Sequence, residues 1–540
     1  MNFDTLLSRL WQDTGNSLWP LFGSELALCA TIVALLFVRL FSADRLLPSH
    51  WVALLGALVS FGCVYWQFMD LQQQGNFTQE LFTGLLIHDR FTVFFRMFLL
   101  LFLILVIALT VLSGIPDNED GPDFYTLLIG STIGMLLMVS ANHLLILFLG
   151  IEMTSVPSYA MVGFLKGRKL SSEASLKYVV YGAGAAGVML YGISLLAGML
   201  GTANLPEMAG RLNQILASGG GMADPTVRTV VLAALMVLVG IAFKLSIVPF
   251  HFWCPDAFEG ASAEVGGFLS VASKAAAFGL LVRFCVALMG TNGAMLTEIN
   301  YSLGIGLGVV AAVTATFGNL AAYTQKNVKR LLAYSTIAHA GYMMMAIAAM
   351  LVILNGPESA RVDRQVDGSR AIEGLLYYLI VYLFMNLGAF AIVALIRNEI
   401  YSEEIEDYNG LAQQAPFLCV CMGACVFSLI GLPPFGGFFG KLVIFSSLMQ
   451  AGYVHWSMWL ILVIGGLNTV FSLFYYVRIL KAMFIAPRPE MSRRADEAWA
   501  SRWYVLIVTL PVLLSGISID VLSRLANGVA VTVVERVAKL

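Results

Sequence analysis

Runs of about 20 predominantly apolar residues recur along this chain from Leu18 to Leu525, and a run of that length is what a helix needs to cross the hydrocarbon core of a bilayer. Of the 540 residues, 59% are hydrophobic and 12% charged, whereas soluble domains carry roughly a quarter charged residues. The bilayer is therefore the solvent. A backbone amide left unpaired in hydrocarbon costs several kcal/mol, and these runs are too long and continuous for the alternating strands of an outer-membrane barrel. The fold class that follows is an all-α polytopic membrane protein. Spans are predicted near 18–41, 51–69, 91–112, 124–140, 143–165, 176–200, 229–252, 266–289, 301–323, 330–354, 371–397, 415–450, 456–484 and 503–525, about fourteen in all.

Lipid surrounds such a chain, and a net charge of −2 gives no reason to expect a nucleic-acid partner. Cys419, Cys421 and Cys425 share one predicted span at a spacing that matches no zinc or iron–sulfur motif, so they read as packing residues. Six histidines scattered over separate segments form no recognisable haem-ligand pair. The N-terminal MNFDTLLSRLWQD lacks the basic-then-apolar order of a cleaved signal peptide. Lys166, Arg168 and Lys169, then Lys326, Lys329 and Arg330, then Lys481, Arg488, Arg493 and Arg494 all follow odd-numbered spans. The positive-inside rule puts those loops in the cytoplasm and both termini outside, against a weaker opposing bias from Arg361, Arg364 and Arg370.

Many transporter folds are inverted repeats with interrupted helices in matching places, and two spans here are interrupted. GIAFKLSIVPFHFWCPD contains Pro249, and SLIGLPPFGGFFGKLVIF contains Pro433 and Pro434. Proline removes an amide donor and clashes with the preceding turn, while glycine tolerates irregular backbone, so both spans should break mid-membrane. The helices upstream also correspond, with Glu173, Leu176 and Tyr178 recurring as Glu373, Leu376 and Tyr378. Two five-helix units of odd helix number are inverted in topology. The chain then divides into N-terminal helices at 1–123, a first repeat at 124–290, a second at 301–485 and a C-terminal loop with a last span at 486–540.

Charge inside a bilayer costs at least a few kcal/mol and marks a partner or a task. Glu152 lies in HLLILFLGIEMTSVPSY, Lys244 in LMVLVGIAFKLSIVPF, Lys274 in GGFLSVASKAAAFGLL and Lys441 in GGFFGKLVIF. Desolvation favours a neutral amine and a nearby carboxylate the charged one, so a series of Glu and Lys can switch protonation as its neighbours do. That is the chemistry of a proton relay. Lys177 and His251 flank the set nearer the span ends, where snorkelling or structural pairing competes with a relay role. His339 in LLAYSTIAHAGYM is a further candidate. Lys244 before Pro249 and Lys441 after Pro434 should each present a titratable group to its break. Gly182, Gly184 and Gly187 spell GxGxxG, but inside an apolar helix with no preceding strand, where small residues serve close helix packing rather than dinucleotide binding.

GIEMTSVPSYAMVGF, EASLKYVVYGAGAAGVMLYG, FKLSIVPFHFWCPDAFEGA, SKAAAFGLLVRF, QKNVKRLLAYSTIAHAGYM, YYLIVYLFMNLGAF and GLPPFGGFFGK follow one another between about residues 120 and 485. Together they resemble the N-type antiporter-like subunits of respiratory complex I, an NADH:quinone oxidoreductase. The resemblance implies a fourteen-helix fold with one proton channel, driven by quinone reduction in a distant subunit of a bacterial inner-membrane complex. It implies no cofactor in this chain. NADH, FMN, iron–sulfur clusters and quinone would belong to partner subunits, and the neighbours would be other membrane-arm subunits, including other antiporter-like ones. Glu152 and Lys244 match the family's carboxylate and lysine of the first repeat, Lys274 its central lysine and Lys441 the lysine of the second broken helix. Lys177 and His251 also match positions of the motif. A glutamate is expected at the place of Lys441 in the related M-type subunit, so the lysine favours the N type. After EGA the stretch SAEV replaces the family's proline- and threonine-containing segment and introduces Glu264, and the polar loop from Pro357 to Arg370 is longer than usual. A subunit of a multi-subunit cation/proton antiporter shares this ancestry and is the alternative. A non-transporting scaffold would leave the buried charges without a task.

Overall fold

The computed structural model describes residues 3–42, 47–74, 77–116, 120–217, 224–289, 294–357, 359, 361–488 and 498–539. Among these, helices run in the order α1 (Phe3–Leu18), α2 (Gly23–Leu40), α3 (Ser49–Gln74), α4 (Arg90–Ser113), α5 (Gly121–Ser140), α6 (Leu144–Val162), α7 (Lys169–Leu200), α8 (Leu205–Ala217), α9 (Pro225–Leu245) and α10 (Trp253–Gly260). They continue as α11 (Ala263–Phe268), α12 (Lys274–Leu288), α13 (Ala294–Ala322), α14 (Val328–Asn355), α15 (Arg364–Ile400), α16 (Pro416–Ile430), α17 (Gly436–Val454), α18 (Ser457–Phe484), α19 (Trp499–Ile517) and α20 (Ile519–Lys539). Strands β1 (Gln79–Leu81) and β2 (Leu86–His88) pair antiparallel between α3 and α4.

Among the described residues, thirteen helical segments are long and apolar enough to cross a bilayer, or up to fourteen when α16 is joined to the 3-10 turns at Ile405–Gln413, which it meets at 120°. The polytopic all-α architecture expected from the hydrophobic runs is the one that forms. Arg493 and Arg494, counted above in the third basic loop, lie outside the described residues. The last predicted span, 503–525, divides in the structure: α19 stops at Ile517, and α20 carries a buried stripe of Ala526, Val529, Ala530 and Val533 at helical spacing. This stripe packs on the bundle, and Ser523 and Asn527 on its flank donate to the Glu373 carboxylate of α15, Asn527 at 2.9 Å. The predicted loop at 357–370 is shorter than its polarity suggested, because Asp363 caps α15 by accepting from the amides of Gln365 and Val366.

Both expected breaks are present, and they close in the same way. After α9, Ser246 turns left-handed (φ 58°), its amide bonds to the Phe243 carbonyl and the Ile247 amide reaches back to Ala242. After α16, Gly431 turns left-handed (φ 89°), and the amides of Gly431 and Leu432 reach the Phe427 carbonyl. Each is a Schellman-type stop, which satisfies some terminal carbonyls and leaves others free. Pro249 and Pro434 follow these left-handed residues at the same spacing. A third irregularity has no sequence signal: a π-turn at Leu269–Ser273 interrupts the span that runs from α11 into α12. That span, α14 and α15 are buried along nearly their whole length and form the axis of the bundle. Gly318 and Gly341 let α13 and α14 touch backbone to backbone, since a Cβ on either would come within 2.6 Å of a facing amide nitrogen.

Candidate functional site

Lys244 is the penultimate residue of α9 and is fully buried. Its Nζ donates to Ser155 Oγ at 3.0 Å, and Ser155 stands one turn beyond Glu152 on α6. Glu152 is half-buried and acts on Lys244 electrostatically. The next carbonyl along α9, that of Leu245, accepts from Nζ of Lys274 at 2.9 Å. Lys274 is the first residue after the π-turn and is 1% exposed. Across the bundle, Lys441 on α17 donates to the carbonyls of Leu429 (3.1 Å) and Ile430 (2.9 Å), the last residues of α16, and its Nζ lies 4.6 Å above the Tyr342 ring. A helix C-terminus concentrates unpaired carbonyls and the negative end of its dipole, so a cation is well placed at each.

The equivalence of the two halves differs from the sequence expectation. Lys441 does for α16 what Lys274, rather than Lys244, does for α9: it caps the carbonyls that the break leaves free. Lys244 precedes its break and turns instead to α6. Proline spacing brings out the breaks but not which lysine bonds to which carbonyl, because Lys274 comes from a different span.

His339 of α14 is 1% exposed and lies within the electrostatic reach of both Lys441 and Lys274. Its ring nitrogens share hydrogen bonds with Tyr378 Oη (2.6 Å) and Tyr476 Oη (3.2 Å), which suits a neutral imidazole that donates once and accepts once. Tyr476 continues to Ser335, while Tyr342 and Tyr475 join an amide network of Asn319 and Asn468. The recurrence of Tyr178 and Tyr378 has a counterpart in packing. Tyr178 stacks on Trp253 of α10 at 4.2 Å, and Tyr378 lies where a Cβ on Gly440 of α17 would meet it, each beside the second half of a broken helix.

The remaining candidates lie apart from this row. Lys177 pairs with Glu173 one helical turn before it (2.7 Å) and with Asp256 (2.8 Å), and Asp256 also binds Arg330, in a partly exposed ion-pair cluster whose Asp256 contacts no local spacing announces. His251 sits in the first break against the rings of Phe252 and Phe317, both at 4.3 Å, and its Nδ1 has no hydrogen-bond partner. Gly182 of the GxGxxG sequence faces Tyr159, while Gly184 and Gly187 face open space.

The criterion of charge within an apolar run also applies to residues that the sequence reading passed over. Glu25 of α2 and Arg96 of α4 form a fully buried ion pair at 2.6 Å. Arg283 of α12 makes a two-pronged pair with Asp89, at 2.7 and 2.8 Å. Burial by itself raises the Asp89 carboxyl, but the Arg283 guanidinium and the Thr92 amide outweigh it and hold it well below the usual carboxylate range. These charges are paired and serve as ties between helices. Among the lysines of the row, by contrast, the partners are neutral oxygens, which leaves each amine able to lose or regain a proton without breaking a salt bridge. No cluster of three or more His, Cys, Asp or Glu side chains among the described residues is arranged to hold a metal ion.

A family profile described as NADH:quinone oxidoreductase/Mrp antiporter, transmembrane, matches residues 141–357 and 361–472. NADH-quinone oxidoreductase subunit N of Anaeromyxobacter sp. (strain Fw109-5) is 41% identical over 75% of this chain and 77% of its own length, and subunit N 1 of Koribacter versatilis (strain Ellin345) is 35% identical over 93% and 94%. Among solved structures, a chain of respiratory complex I from Thermus thermophilus with bound aureothin superposes with a TM-score of 0.71 at 28% identity, covering 93% of this chain and 98% of that one. A chain of the Mrp complex from Dietzia sp. DQ12-45-1b shares the fold, with a TM-score of 0.78 at 17% identity. With the profile spanning more than half of its length, the chain belongs to the NADH:quinone oxidoreductase/Mrp antiporter transmembrane family.

Proposed function

We propose that this chain is the N-type proton-translocating membrane subunit of a bacterial NADH:quinone oxidoreductase, and that protons move through it along Glu152, Lys244, Lys274, His339 and Lys441. The relatives named subunit N support the assignment to the complex. The observation that carries the mechanism is the buried row of lysines held on neutral oxygens at both helix breaks. A protonated Lys244 favours proton release from its neighbour Lys274 by like-charge repulsion, and the Glu152 carboxylate sets how readily Lys244 takes up a proton. His339, within electrostatic reach of both Lys274 and Lys441, passes the proton into the second half. Flavin, iron–sulfur clusters and quinone belong to partner subunits, and this chain binds protons, water and lipid in the inner membrane. Lys177 holds the ion-pair cluster around Asp256 and stands outside the row, and His251 lines the first break.

The test is made on the whole complex in inner-membrane vesicles. Lys244→Ala should assemble yet pump at least about tenfold more slowly during NADH oxidation, in the range expected when a proton-transfer group is lost. Normal pumping by assembled Lys244→Ala would remove the relay. Co-purification separates the family's two branches: partners carrying flavin and iron–sulfur absorbance belong with this proposal, and a colourless assembly would make the chain a cation/proton antiporter subunit.

A further inference from the structure

Glu264, the second residue of α11, is fully buried, and neither of its carboxylate oxygens has a hydrogen-bond partner. A carboxyl group without a partner in an apolar core is costly, and such groups are satisfied by water or persist for a task. What surrounds it is polar. Lys329, at the start of α14, is under the electrostatic influence of Glu264, Glu403 and Arg397, donates to the Ala261 carbonyl just ahead of α11 and pairs with Glu403 at 2.8 Å. Tyr504 of α19 also feels Glu264 and donates to the Leu105 carbonyl. Glu403 and Arg397 are each 14% exposed, so this end of the cluster opens to the surface of the bundle.

The other direction leads to the row of lysines. Lys274 follows Glu264 on the same span, roughly 15 Å further along at helical rise. Between them Ser270 receives a hydrogen bond from Asn386 of α15 at 2.6 Å, and Asn386 Oδ1 and Ser273 Oγ are buried without partners. Unpartnered buried polar atoms between Glu264 and Lys274, on this span and the facing α15, are where ordered water is expected.

We infer that Glu264 is the proton-accepting group of an entry branch that feeds Lys274 from the Lys329–Glu403 end of the bundle. A proton arriving from water adds to a carboxylate oxygen of Glu264. The new O–H bond then breaks as the proton passes by way of water beside Asn386 and Ser273, and an N–H bond forms at the neutral amine of Lys274, which has already released its own proton toward His339. Lys329, Arg397 and Glu403 set the field at the entrance. The branch rests on the relay proposed above.

The experiment compares Glu264→Gln, Glu264→Asp and Lys244→Ala in the whole complex in membrane vesicles, with rates taken per assembled complex. Glu264→Gln keeps shape and loses the titration, and its pumping should fall about tenfold or more, with Glu264→Asp recovering a large part. Wild-type pumping by Glu264→Gln while Lys244→Ala is inactive would overturn the branch and leave the relay standing; wild-type pumping by both would overturn the relay itself. If Glu264→Gln does not assemble, the double variant Glu264→Gln/Lys329→Gln restores charge balance and is compared with Lys329→Gln alone. A double variant slower than the single supports the branch, and one that matches it makes Glu264 a counter-ion only.

Discussion

An ammonium group has three hydrogens to donate, and protein acceptors take one from Lys244, one from Lys274 and two from Lys441, the last also facing the Tyr342 ring. Lys244 and Lys274 thus keep hydrogens that no protein acceptor takes, whereas the two carbonyls and the Tyr342 ring account for all three of Lys441. Charge and titration can be separated at Lys441, since arginine keeps the charge but, with a pKa above about 12, does not release it. Lys441→Arg should therefore lower pumping nearly as much as Lys441→Ala in complexes that assemble, measured as acidification in vesicles. Full pumping by the arginine variant would leave Lys441 only a fixed field. Glu152 acts on Lys244 through its charge, so Glu152→Gln should slow turnover several-fold more than Glu152→Asp, and equal losses would point to packing. The lysines were legible in the sequence because a charge inside an apolar run is a local property. Ser155, Tyr378 and the Leu245 carbonyl were not, because a serine, a tyrosine or a backbone oxygen becomes a partner only through packing between distant spans.

The broken helices were legible as elements for a related reason: proline and glycine act on their own backbone, and the stops fell where Pro249 and Pro434 required them. The π-turn before Lys274 was not, since LSVAS contains nothing that excludes a regular helix. The second break depends on close approach. The Gly437 amide donates to Ser428 Oγ at 3.1 Å, and a Cβ at this position would stand 1.9 Å from the Ser428 carbonyl oxygen. Gly437→Ala must push α17 away from α16, at a cost of about 1–3 kcal/mol typical of overpacking. We expect a lower thermal midpoint of the assembled complex and slower pumping, because the same displacement draws Lys441 from its carbonyls. Gly466→Ala, where a Cβ meets nothing within 4 Å, is the control, and equal midpoints for the two variants would contradict the packing argument.

At the scale of the molecule, the C-terminal helix α20 is fastened to the core by charged groups. Asp89 receives Arg283 from α12 and lies 3.7 Å from Arg536 of α20, while α20 also holds Glu373. Beside this tie, burial and then the neighbouring Arg96 push the His88 imidazole down to about 3, against an opposing effect of Asp89. A histidine whose folded value is depressed favours folding in its neutral form. Its contribution is complete above the ordinary value of 6.5 and is lost as pH falls from there towards 3. The thermal midpoint of the complex should accordingly fall as the medium is acidified below about pH 6.5, and His88→Asn should flatten that slope; parallel slopes would show that His88 plays no part. This tie escaped the sequence reading because Asp89 and Arg283 are far apart in the chain and each looks ordinary alone. The first break has a mechanical side as well. Lys244 and the Leu245 carbonyl that holds Lys274 are consecutive residues in one terminal turn of α9. A change in the conformation of that turn would therefore move the Lys244 side chain and the hydrogen bond that holds Lys274 together, so α9 couples the two amines mechanically.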